Sequence, residues 1–139
     1  MCCSSDDHIL HDLFRAYFDA RKNKRNTMNA LRFERHFETE LFTLYDEILE
    51  RTYDPVRSIC FIVNEPVKRE VFAAGFSDRV IHHFIYNYIY PVFDKTFIHD
   101  SYSCRKGKGT HYGIKRMARF MRSCTSNFSH EAWILKMDI

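Results

Sequence analysis

Between Ser58 and Ala74 the hydrophobic pattern changes period, and that change limits the possible folds more than any other feature of the chain. Ser58-Ile59-Cys60-Phe61-Ile62-Val63 is short, apolar and β-rich; Asn64-Glu65-Pro66 has turn chemistry; Val67-Lys68-Arg69-Glu70-Val71-Phe72-Ala73-Ala74 reads as a returning strand. Two such runs across a short Asn/Pro turn predict a β-hairpin, which Gly75 ends. Side chains alternate along a strand, so Lys68 and Glu70 should share one face, with Arg69 and Val71 on the other.

Around this insert the spacing is helical. Ile9, Leu10, Leu13, Phe14, Tyr17 and Phe18 form the stripe of a first helix, with Asp6 or Asp7 placed to cap it. Asn26 or Thr27 can cap a second, longer helix whose stripe is Ala30, Phe33, Phe37, Leu41, Leu44, Tyr45 and Ile48, and Pro55 ends that region. Ser77 can cap a third, with stripe Val80, Ile81, Phe84, Ile85, Tyr88 and Ile89, which Pro91 should end or kink. Thr110 caps a fourth, with Ile114, Met117, Ala118 and Met121 on the expected buried side. Ala132 to Ile139 is strand-like and mostly apolar, an ending that suggests a piece of something longer. The predicted class is therefore α+β. With 4 Gly and 3 Pro against 13 Phe, 8 Tyr and 1 Trp, the composition favours long helices around a bulky core.

No apolar run approaches the roughly 18 residues that cross a bilayer. The start, Met1 to Asp7, is polar and acidic, unlike a secretory signal. Five cysteines without a C-x-x-C read as reduced thiols. Together these predict a cytoplasmic protein without a membrane partner.

The net charge of +3 conceals an uneven distribution. Arg105, Lys106, Lys108, Lys115, Arg116, Arg119 and Arg122 fall in a stretch without a single acid, the pattern of an anion-binding surface. A merely solvated helix face is the plain alternative. Gly107-Lys108-Gly109-Thr110 lacks the G-x-x-x-x-G-K-[ST] spacing of a phosphate loop, which excludes that kind of nucleotide hydrolase. His82 and His83 point about 100° apart on a helix and make a poor metal pair. A basic, two-glycine loop running into a helix does aim backbone N–H groups at an anion. Arg105 adds a planar fork and Lys106 and Lys108 add point charges. Of Lys68 and Arg69 only one can face the same space, and Arg69 suits phosphate oxygens better.

Several segments, in order, resemble a known family. Phe76-Ser77-Asp78-Arg79-Val80-Ile81-His82-His83, then Pro91-Val92-Phe93, then Ser101-Tyr102-Ser103-Cys104-Arg105-Lys106-Gly107-Lys108-Gly109-Thr110-His111 are similar to the fingers pattern of prokaryotic reverse transcriptases. That group serves group II introns, retrons and diversity-generating retroelements, and the Lys-Gly-Lys-Gly-Thr-His wording is closest to the last. Trp133 to Ile139 resembles the start of the first palm motif. The resemblance implies fingers over 1–131 and the beginning of a palm over 132–139. It implies an RNA-directed DNA polymerase, with Asp138 catalytic and a ligand of Mg²⁺. Lys68, Arg69, Arg105, Lys106 and Lys108 would meet nucleotide or template, and Lys115, Arg116 and Arg119 the template backbone. The implied partners are an RNA template, a DNA primer and dNTP, with an accessory retroelement protein also within the family's habits. The alternatives are a non-catalytic RNA-binding module and, more weakly, a helical scaffold.

Asp138 supplies one of the three acids such a polymerase needs, too few for a two-metal site. Purified 1–139 should give no primer extension with template, dNTPs and Mg²⁺; any extension product on a sequencing gel would refute this.

Overall fold

The computed structural model describes residues 5–22 and 27–137, with side chains from His8 onward. In chain order the elements are α1 (Ser5–Arg21), α2 (Met28–Arg35), α3 (Phe37–Glu50), β1 (Ile59–Val63), β2 (Arg69–Ala73), α4 (Phe76–Thr96) and α5 (Thr110–Cys124). The chain is α+β, as the change of period requires. It divides into two compact units, Met1–Pro91 and Val92–Ile139. No described helix is long and apolar enough to cross a membrane.

The core of the first unit is built at helical spacing. Leu13, Ala16, Tyr17 and Ala20 of α1 are buried with Ala30 and Phe33 of α2, Leu41 and Leu44 of α3, and Phe76, Val80 and Ile81 of α4. Tyr17 stacks on Phe33 and Phe37, with ring centroids 5.7 and 5.1 Å away, and meets Phe76 edge-on at 6.3 Å. Two outer hydrogen bonds reinforce α1 against α4: the Tyr88 hydroxyl donates to Asp12 at 2.6 Å and the Asn87 amide to Asp19 at 3.4 Å.

The expected long second helix is two helices broken at His36, whose backbone leaves helical geometry (φ −134°, ψ 29°). No breaker residue marks the site. Phe33 before the break and Phe37 after it both stack on Tyr17, so tertiary packing overrides local propensity here. α1 starts at Ser5, ahead of Asp6 and Asp7, and Thr27 flanks α2 without a side-chain cap bond. α4 starts one residue before Ser77, its first helical bond running from Arg79 N–H to the Gly75 carbonyl at 3.1 Å. Pro91 lies inside α4, which continues to Thr96; it removes one backbone donor without stopping the helix.

β1 and β2 pair antiparallel in the register Ile59↔Ala73, Cys60↔Phe72, Phe61↔Val71, Ile62↔Glu70, Val63↔Arg69. Alternation then puts Ile59, Phe61, Val63, Arg69, Val71 and Ala73 on one face, the division expected from the sequence.

In the second unit two expectations fail. α5 begins at Thr110, so Gly109 holds the cap position, and none of its residues is fully buried. Ile114 is 60% exposed, and Met117 is also exposed. The α5 apolar stripe therefore does not form a core among the described residues. Likewise residues 131–137 form no strand, and Trp133 is 96% exposed. A β-prone segment becomes a strand only where another lies alongside to take up its backbone hydrogen bonds, and no described segment does so here.

The contrast can be measured. Leu13→Ala, which empties a fully buried site, should cost about 2–5 kcal/mol. Ile114→Ala should stay within about 0.5 kcal/mol. Urea unfolding midpoints followed by far-UV circular dichroism separate the two, and a large loss at Ile114 would show its face to be packed.

Candidate functional site

The cations singled out by the sequence separate into two groups once their neighbours are known. Arg105 is the most constrained. Its Nε donates to Asp94 Oδ1 at 2.8 Å, its Nη2 to the Asp94 carbonyl at 3.2 Å, and its Nη1 to the carbonyls of Ile98 and Ser101 at 2.9 and 3.5 Å. The guanidinium also lies over the Phe97 ring, 5.6 Å from its centroid, and the side chain is 8% exposed. Four of its five N–H donors are thus spent on the end of α4 and the loop that follows it. Arg105 folds this loop; it has little left to offer a phosphate, contrary to the expectation from sequence.

Arg116 is the second such strut. Nε and Nη2 grip Asp100 side-on at 2.7 and 2.9 Å, and the guanidinium covers Phe120 at 4.6 Å. The same carboxylate accepts the Tyr102 hydroxyl at 2.6 Å. The Arg116 and Tyr102 hydrogen bonds hold Asp100 well below the ordinary carboxylate value, and the bond to Asp100 holds Arg116 firmly protonated. Gly113 completes the arrangement. It lies against the Tyr102 ring, where a Cβ would be in ordinary contact at 3.4 Å. Arg116 is therefore removed from the template-backbone set.

Lys108 turns inward as well: its Nζ donates to the His99 carbonyl, and its N–H to the Arg105 carbonyl at 3.2 Å. Lys106 is engaged too. Gly107 has φ +73°, the left-handed conformation in which glycine carries no steric penalty, and it lets the chain turn between Arg105 and Lys108. The basic loop is thus mainly a self-bonded turn.

What remains outward is informative. Lys115, Arg119 and Arg122 are exposed and make no hydrogen bond or ion pair with another described residue. Their spacing of four and three residues confines them to an arc of about 60° over two turns of α5. His111, four residues before Lys115 and also exposed, extends the row. No acid occurs from Ser101 to His130.

On the hairpin, the Lys68 and Arg69 side chains are exposed and likewise without a hydrogen bond or ion pair to a described residue. Arg69 shares its face with Ile59, Phe61 and Ala73, which line a cleft of about 310 Å³ together with Thr27, Asn29, Ala74, Phe76 and Arg79. That volume is at the small end of ligand-binding clefts. Asp138 lies outside the described residues. Among those described, no group of three or more His, Cys, Asp or Glu could hold a metal ion, so no step through Mg²⁺ is derived from them.

The Asp78-Arg79-Val80 motif proves structural. Val80 is fully buried, Arg79 Nε donates to the Ala74 carbonyl at 3.2 Å, and buried Asp78 accepts from Tyr53 and Val56. Tyr53 was not anticipated, because a lone tyrosine outside any stripe carries no periodic signal. No protein-family model matches the chain, and no curated protein matches it.

Two outcomes follow from the struts. Arg105→Ala removes a buried guanidinium from a partner, Asp94, that keeps about a third of its side chain in water, and with the lost carbonyl bonds should cost about 1–2 kcal/mol. The thermal midpoint should fall while affinity for RNA stays unchanged; the opposite pattern would restore Arg105 to a binding role. The second concerns acid. Asp100 binds its proton more weakly folded than unfolded, so its contribution is complete above the unfolded value of about 3.9. It is lost as pH falls from there through the lower folded value. Asp100→Asn should flatten this acid limb of a stability–pH profile, and a limb identical to wild type would contradict the assignment.

Proposed function

We propose that this chain is the fingers portion of an RNA-directed DNA polymerase, binding template RNA along α5 and incoming dNTP beside the hairpin. The polymerase assignment rests on the resemblance of the ordered segments around Phe76–His83, Pro91–Phe93 and Ser101–His111. The observation that carries the nucleic-acid part is the row Lys115–Arg119–Arg122, outward-facing and unbonded, in a stretch without acids. Such a row meets a phosphate backbone without reading bases. Arg69, which shares a hairpin face with the cleft-lining Ile59, Phe61 and Ala73, would meet triphosphate oxygens with its planar fork. Mg²⁺ belongs to this proposal through Asp138, where it would neutralise triphosphate charge. A cytoplasmic site of action and a retroelement origin are parts of the same proposal. Template binding without chemistry is the second reading, favoured by a row that works by charge alone.

The binding half is testable on 1–139 itself. Three phosphate contacts on single-stranded RNA predict a log–log salt slope of about −2, rising to about −3.5 if Lys68 and Arg69 also engage. Fluorescence anisotropy with unstructured RNA at several salt concentrations measures it. Arg119→Ala should lower the slope by about 0.7 and weaken all RNA sequences alike. Binding that ignores salt would refute the phosphate role of α5. Primer extension by a longer chain carrying 1–139 then decides between polymerase and binding module.

A further inference from the structure

The hairpin is gripped at both of its legs by consecutive residues in the first turn of α4. On the entering leg, Asp78 Oδ1 accepts the Tyr53 hydroxyl at 2.5 Å and the Val56 N–H at 3.1 Å. Val56 lies three residues before β1. On the leaving leg, Arg79 Nε holds the carbonyl of Ala74, the residue immediately after β2. Asp78 is 3% exposed, and it makes no ion pair with any described residue. A carboxylate taken out of water without a cation depends on donors such as these, so releasing one is costly. Burial and the neighbouring Asp78 push the Tyr53 phenol well above its ordinary value, which keeps the proton on the donor. Gly75 lies beside the clasp: a Cβ there would be in ordinary contact with Asp78 Oδ2 at 3.4 Å and the Val56 Cβ at 3.6 Å.

Side-chain packing holds the hairpin much less firmly. Cys60, Ile62, Glu70 and Phe72 leave its outer face open, and Ile59 and Phe61 on the inner face are also exposed. Two strands alone are marginal in water. Their stance depends on what holds the base. From this geometry we infer that Tyr53, Asp78 and Arg79 are positioning residues that fix the angle of the hairpin and so keep Arg69 on the cleft side. The positioning of Arg69 for an anion rests on the dNTP reading given above; the anchoring itself does not.

The test measures stance and binding separately in 1–139. A spin label on native Cys60, which is exposed on β1, pairs with a second label at Glu38→Cys on α3, the other cysteines being replaced by serine. In Tyr53→Phe and in Arg79→Lys the Cys60–Glu38 distance distribution should broaden, while far-UV circular dichroism stays as in wild type. Arg69→Ala should leave the distances unchanged. Affinity for Mg²⁺–dATP should fall in Tyr53→Phe by the share of hairpins that leave the competent stance, about tenfold if one in ten remains. Unchanged distances in both variants would overturn the inference, and broadened distances with undiminished dATP affinity would overturn the positioning role. Failure of the wild type to bind dATP would count against the nucleotide reading, and the distances would still decide the anchor.

Discussion

Tyr17 lies among Phe33, Phe37 and Phe76, rings drawn from α2, α3 and α4, and the first unit is arranged around that contact. Each aromatic pair is worth about 0.5–1.5 kcal/mol beyond the area it buries, and each also constrains the helix that brings it. Keeping Phe33 and Phe37 against one ring accompanies the break at His36. Keeping Phe76 there sets where α4 begins, and so where Asp78 and Arg79 emerge to hold the hairpin. Burial pushes the Tyr17 phenol above its ordinary value, so this central ring stays uncharged at neutral pH.

Arginine plays two opposed parts in the second unit. At Arg105 and Arg116 the planar guanidinium is consumed by carboxylates, carbonyls and an aromatic face, giving a loop with little apolar interior its fixed shape. At Arg119 and Arg122 the same group has no such partner among the described residues and stays hydrated. The difference lies in what the backbone brings near. Asp94 and Asp100 sit just upstream of the basic block, and the loop folds them back onto it.

Features with a period were legible from sequence: the hairpin, its two faces, the presence of helices on either side of it and the α+β class. Features that depend on a distant partner were not. The acid-free window from Arg105 to Arg122 read as anion-binding throughout because Asp94 and Asp100 fall outside it. Pro91 read as a stop or a kink, yet α4 runs on to Thr96, because a helix tolerates one lost hydrogen bond. Residues 132–139 read as strand-like from composition, but a strand also needs a neighbour, which 132–137 lack among the described residues. For the clasp there was one usable signal, an aspartate in the first turn of a helix amid Phe76, Val80 and Ile81; Tyr53 and Val56 could be assigned to it only in three dimensions.

Trp133 is the one tryptophan of the chain, and it stands almost wholly in water. An indole already hydrated in the native state emits at long wavelength before any denaturant is added, and its emission changes little when the core comes apart. Intrinsic fluorescence would therefore give a misleadingly flat trace for this protein. The informative chromophore is the cluster around Tyr17, whose fixed, asymmetric packing should give near-ultraviolet circular dichroism that disappears with the native state.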